Sequence, residues 1–275
     1  MAITFLHTLA GGMMMVLSTV RTDQIAWRFL RMVGIVVFAL ACGCSVWSLQ
    51  RPEVRAISGG NWVLGLGLAA ALGAGLAVFL APLAQRIPVA FRSLCGISGA
   101  AAVLAAAVAA SANLTHEPSH RFAAAVTIAG QAFGAFLLGS ITISWLLGHA
   151  YLTATKMTIA PLRHFSRLLS LAVVLRIVFL LVSLAVAWWV SGGRQAGFTG
   201  ASATLVSQFG QAWLILTLRI GVGLLAVGLF AYMVADCVRL RSTQSATGIL
   251  YFGSVFAYVG ELANLQLIAQ YGWPL

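Results

Sequence analysis

Three ionisable residues stand inside apolar runs of this chain. Arg219 lies within "AWLILTLRIGVGLLAVGLFAYMVADCV", Glu261 within "GILYFGSVFAYVGELANLQLIAQYGW" and Arg176 within "LRIVFLL". A charge deep in a spanning helix costs on the order of a few kcal/mol or more, so it must face protein or trapped water and find a partner. The short basic loop "RLRSTQSAT" joins the last two runs, which therefore lie antiparallel and adjacent. At about 1.5 Å per residue, Arg219 falls ~12 Å below one face and Glu261 ~20 Å from the other. In a core about 30 Å thick these levels nearly coincide, so the spacing predicts an Arg219–Glu261 ion pair. Two kinds of chemistry suit it. The carboxylate can accept or relay protons beside a quinone head group or a transported ion, with the guanidinium placing a carbonyl or tuning the acid. Equally, the pair can be structural and fix helix register. Arg176, counted ~12 Å from the face opposite to Arg219's, has no acid at its level. It is expected to snorkel or to meet carbonyls, His149 or a ligand.

The remaining candidates are weaker. His149, in "SWLLGHAYLT", lies near one end of the fifth run, as a proton donor to a ligand or a haem ligand. A b-type haem needs two axial ligands at one depth, and His7 falls near the opposite face. Met13, Met14 and Met15 are consecutive, so they cannot all face one iron. A haem b held by this chain alone is not expected. "HEPSH", with His116, Glu117 and His120, has the spacing of a helical metal pair, but Pro118 disfavours helix at Glu117 and a solvated loop is expected. His164 sits in the basic stretch "KMTIAPLRHFSR", which suits a surface of anionic lipid. Cys42, Cys44, Cys95 and Cys237 form neither a redox pair nor a zinc set and read as small buried apolar side chains. No metal site, Ser–His–Asp set or phosphate-binding loop is visible, and five acidic residues leave little for acid–base hydrolysis.

These residues need a membrane scaffold to position them. The chain has 275 residues, 61% hydrophobic and 8% charged, with mean hydropathy +1.00, against about 25% charged residues in a soluble domain. Most apolar runs reach 18 residues without alternation, which favours helices over a barrel. The expected fold is all-α: one integral domain over 1–275 with eight spans near 2–20, 32–49, 62–83, 94–113, 122–150, 168–191, 211–236 and 248–272. The first run lacks a basic leader and reads as a retained span. Loops after the odd spans carry ten basic residues (Arg21, Arg28, Arg31, Arg86, Arg92, Lys156, Arg163, Arg167, Arg239, Arg241). The alternate loops carry Arg51, Arg55, Arg121 and Arg194, so both termini are expected outside. The net charge of +11 thus has its source in loop basicity, and no nucleic-acid partner is indicated. Gly130 and Gly134, at Gly-x-x-x-Gly spacing, are expected to let helices approach closely, or to leave room for a flat ligand. Around Arg176 and Arg219 the shared Leu-Arg-Ile reads as chance similarity before it reads as an inverted repeat.

Four local stretches resemble the membrane subunits of the dimethyl sulfoxide reductase and polysulfide reductase type (NrfD-like). They are "AGGMMMVL" at Ala10–Leu17, "FLLGSITISWLLGHAYL" at Phe136–Leu152, "LRIGVGLLAV" at Leu218–Val227 and "VGEL" at Val259–Leu262. Gly260–Glu261 is the most specific match. Where the family commonly continues with Gly-Arg, Asn264 and Leu265 stand, and the histidine after its second span has no counterpart. The resemblance implies an electron-transfer subunit that anchors partners, among them an iron–sulfur subunit, and exchanges electrons with a quinol in a bacterial inner membrane. Glu261, Arg219, Arg176 and His149 are then the residues to handle quinone and protons. Alternatives are a small secondary transporter with a midplane Arg–Glu pair, or a structural scaffold whose grooves hold lipids. No reading makes the chain catalytic alone.

Overall fold

A computed structural model describes residues 1–50, 60–111, 118–153, 158–192 and 209–271. Every regular element among them is helical. In order they are α1 (Ala2–Ser18), α2 (Trp27–Gln50), α3 (Gly60–Leu80, followed by a 3-10 turn at Ala81–Leu83), α4 (Pro88–Ser111), α5 (Pro118–Thr153) and α6 (Ala160–Gly192). The seventh pass is composite: α7 (Phe209–Thr217), a π-helical segment (Leu218–Ala226) and α8 (Val227–Arg239). The last is α9 (Thr243–Tyr271).

Among the described residues, seven passes are long and apolar enough to cross a membrane. Together with their exposed apolar flanks, such as Leu72, Phe79, Val89 and Ile97 at 69–77% exposure, they make this an integral multi-pass membrane protein. The eighth, α1, has 17 residues and reaches about 25 Å, short of the ~30 Å core. It is well enclosed, with ten residues buried and contacts to α2, α4 and α5. Protein rather than lipid covers it, so its length is free of the bilayer's demand. Its Gly11–Gly12 pair makes that possible. A Cβ on Gly12 would run into the Ala135 carbonyl of α5, and one on Gly139 of α5 would run into Gly12. Here backbone meets backbone at Gly12 and Gly139, whereas at Gly134 a side chain of α9 comes close.

Several helices start earlier than the sequence-based expectation, and two of these starts change the reading of a motif. α5 begins at Pro118, whose missing N–H and fixed φ suit the first helical position, so His120 lies in its first turn. His116 and Glu117 of the "HEPSH" motif lie outside the described residues. α6 begins at Ala160, so the described part of the basic stretch read as loop is helical. There Leu162 and Phe165 are fully buried, and His164 Nε2 stands 3.3 Å from Thr19 Oγ1 of the α1–α2 turn. Apolar residues inside a basic stretch carried it into the bundle.

Consecutive passes pack on one another, and α9 is also seated between α5, α8 and the π segment. At the α8–α9 turn Arg241 adopts φ 59°, the left-handed conformation that ends many helices. Ser242 N–H then donates to the Cys237 carbonyl at 2.9 Å.

Candidate functional site

Glu261 lies ten residues before the end of α9, and Arg219 ten residues after the start of α7. The antiparallel arrangement brings both to one level, as their spacing requires. Arg219 Nη1 stands 3.5 Å from Glu261 Oε2, an ion-pair contact at the limit of hydrogen bonding, and 3.3 Å from the Gly260 carbonyl. The expected pair is therefore present, but it is the looser of two. Arg176 Nη2 donates to Glu261 Oε2 at 3.0 Å and to Oε1 at 3.3 Å, while its Nη1 donates to the Gly130 carbonyl at 2.8 Å. The expectation that Arg176 has no acidic partner is overturned. It rested on a sixth span starting near residue 168, whereas α6 starts at Ala160. Those eight residues move Arg176 about 12 Å further along its helix, to the level of Glu261.

The three charged side chains are 0–1% exposed. Asn264, one turn beyond Glu261 and fully buried, donates to Oε1 at 2.9 Å. Each carboxylate oxygen thus has two polar neighbours. Glu261 also rests on Gly134, where a Cβ would come within 2.7 Å of Oε1. The Arg176 guanidinium also lies 5.3 Å from the Phe179 ring centroid, and Phe179 stacks on Phe133 at 5.4 Å. Four elements converge here: α5 through Gly130 and Gly134, α6 through Arg176, the π segment through Arg219, and α9 through Glu261 and Asn264.

The local sequence explains the convergence. In "LRIGVGLL" two glycines and two β-branched residues (Ile220, Val222) lower helix propensity, and the ladder widens to i→i+5 bonding over nine residues. Gly223 of that segment meets Gly260 of α9, and a Cβ on either would collide with the other's Cα. Contact of backbone on backbone brings the Arg219 guanidinium to the residue next to Gly260. The Gly-Glu dipeptide therefore combines an approach site with the charge placed by it.

His149 takes no part. It lies 19 residues along α5 from Gly130, about 28 Å away by helical rise, with Nδ1 3.1 Å from the Tyr251 hydroxyl. Of the partners open to Arg176, a carbonyl, that of Gly130, is the one it meets, and His149 is not. From Tyr251 an aromatic ladder runs along α5 and α9. Tyr251 packs on Trp145 at 5.2 Å, Trp145 Nε1 points to the Tyr258 hydroxyl at 3.4 Å, and that hydroxyl meets Thr142 Oγ1 at 2.8 Å. His7 is buried in α1, its Nδ1–H donating to the Ile3 carbonyl at 3.0 Å. A Cβ on Gly67 would stand 2.8 Å from its Nε2, so α3 packs closely against this ring edge. Met13 and Met14 are core residues. Among the described residues no group of three or more His, Cys, Asp or Glu could hold a metal ion.

Sequence reasoning named Gly130 and Gly134 as sites of close approach but did not join them, or Asn264, to Glu261. Asn264 had a signal, since three residues from Glu261 on a helix is the same face. The buried Thr8–Gln131 link between α1 and α5, 2.9 Å long, had none at 123 residues' separation. The chain matches no family model, and it matches no curated protein and no solved structure.

Proposed function

We propose that this chain is an anchor subunit of a membrane-bound electron-transfer assembly, in which the Arg176–Glu261–Arg219 centre holds four helical elements in register. The observation that carries the anchoring role is the closure of Glu261. The carboxylate is 1% exposed, has two polar neighbours on each oxygen and rests on a glycine. A group so enclosed is suited to fixing helix rotation and depth, because leaving any one of its partners uncompensated in an apolar interior is expensive. The electron-transfer part of the reading rests on the resemblance of "VGEL" and its companion stretches to the NrfD-like subunits. On that reading iron–sulfur clusters belong to a partner, and the membrane is a bacterial cytoplasmic one.

Two guanidiniums against one carboxylate favour a second reading, in which the centre handles a quinol. The surplus positive charge would stabilise a carbonyl oxygen that gains negative charge on reduction, with Glu261 managing the proton. A third, transport, draws on the π segment, since such segments are frequent at functional sites.

Purification from native membranes, followed by titration with a short-chain quinone, separates these readings. Co-purification with an iron–sulfur protein and no saturable quinone binding is the result expected of an anchor. Saturable binding lost in Glu261→Gln would replace that reading with quinol exchange. Proton flux by the isolated protein in vesicles would replace it with transport.

A further inference from the structure

At the N-terminal end of α2 the bundle carries a second, exposed concentration of positive charge. Trp27, Arg28, Arg31, Met32, Ile35 and Val36 line a shallow, open groove of about 340 Å³ on one face of that helix. Its two ends differ in chemistry. Arg28 and Arg31, one turn apart, are exposed at the upper end, and the Arg28 guanidinium lies 5.7 Å from the Trp27 ring centroid. Met32, Ile35 and Val36 continue the groove downward at 37–49% exposure. No acid stands in the first turn of α2, and the nearest in sequence, Asp23, is engaged by Arg21 at 3.4 Å.

We infer that this groove binds one anionic phospholipid, with its phosphate between Arg28 and Arg31 and an acyl chain along Met32, Ile35 and Val36. Charge complementarity selects the occupant. Two exposed guanidiniums one turn apart can share a phosphate through paired N–H donors. The indole beside them has the amphipathic character of side chains at headgroup level. Below them the apolar wall suits a hydrocarbon chain and offers nothing polar. A free anion would use the arginines and leave that wall idle, whereas a zwitterionic lipid would bring its own cation against them.

Each arginine near a charged membrane surface changes affinity by about fivefold, so the pair together is worth about thirtyfold. The test is native mass spectrometry of the purified protein with added phosphatidylglycerol or phosphatidylcholine. Retention of one phosphatidylglycerol, lost about thirtyfold in Arg28→Ala/Arg31→Ala and weakened as salt rises, is the expected result. Arg28→Lys/Arg31→Lys keeps the charge without the fork and should retain an intermediate share. Equal retention of both lipids, an unchanged double-alanine variant, or displacement by millimolar inorganic phosphate would each overturn the assignment. If the alanine variant does not fold, the salt series and the lysine variant decide the matter on intact protein.

Discussion

Arg176 and Glu261, 85 residues apart in sequence, meet at 3.0 Å between α6 and α9, with Arg219 on the same carboxylate at 3.5 Å. The centre therefore holds two cations and one anion, and that imbalance orders the consequences of mutation.

Glu261→Gln leaves two buried guanidiniums without a counter-charge. Removing one member of a buried ion pair costs about 3–5 kcal/mol. The thermal midpoint in detergent should fall well below that of every other single variant at this centre. A variant as stable as the parent would show that the ion pairs do not hold the bundle.

Arg219→Met leaves Arg176 and Glu261 as a balanced pair, so it should lie within about 1 kcal/mol of the parent, since an apolar replacement of a buried charge can be neutral or stabilising. Arg176→Met removes the shorter contact and the bond to the Gly130 carbonyl, and should cost about 2 kcal/mol more than Arg219→Met. Denaturant titrations of the two variants side by side check the ranking. The reverse order would make Arg219 the principal partner.

Arg219→Leu combined with Glu261→Leu tests the same balance from the other side. It would be tolerated if those two residues formed an isolated pair. Because Arg176 would remain buried and uncompensated, the double variant should instead lose about 3–5 kcal/mol, and adding Arg176→Leu should recover part of it. Folded yield and unfolding midpoint of the double and triple variants give the comparison.

Gly260→Ala places a methyl group against the Gly223 backbone. Overpacking of this kind costs about 1–3 kcal/mol or more, and a backbone contact cannot rotate away. The variant should lose stability and loosen the Arg219 contact, whereas Gly248→Ala, where a Cβ meets nothing within 4 Å, should be silent or mildly stabilising. Equal behaviour of the two would exclude close approach as the role of Gly260.

Arg241→Gly removes the side chain from a left-handed backbone position. It should stabilise by about 1 kcal/mol, read as a higher thermal midpoint without loss of helicity.

Much of this protein is legible without coordinates. Hydropathy over windows of bilayer length identifies the apolar passes, because transferring unpaired backbone and charge into hydrocarbon forbids almost everything else. The same physics marks Arg176, Arg219 and Glu261 as residues that must find partners. Depths of ~12 Å from one face and ~20 Å from the other, in a core about 30 Å thick, bring Arg219 and Glu261 to nearly one level. What tertiary structure alone decided is which partner stands closer. Hydropathy says that a segment crosses, but not where its helix begins or how it is rotated. The eight residues of α6 before residue 168 look like basic loop, yet they pack as helix and carry Arg176 to Glu261. Nor does hydropathy mark the widened turn at Leu218–Ala226, the seat of Glu261 on Gly134, or the Gly130 carbonyl. Those depend on backbones meeting across helices distant in sequence, where contact is set by packing geometry and by no local pattern.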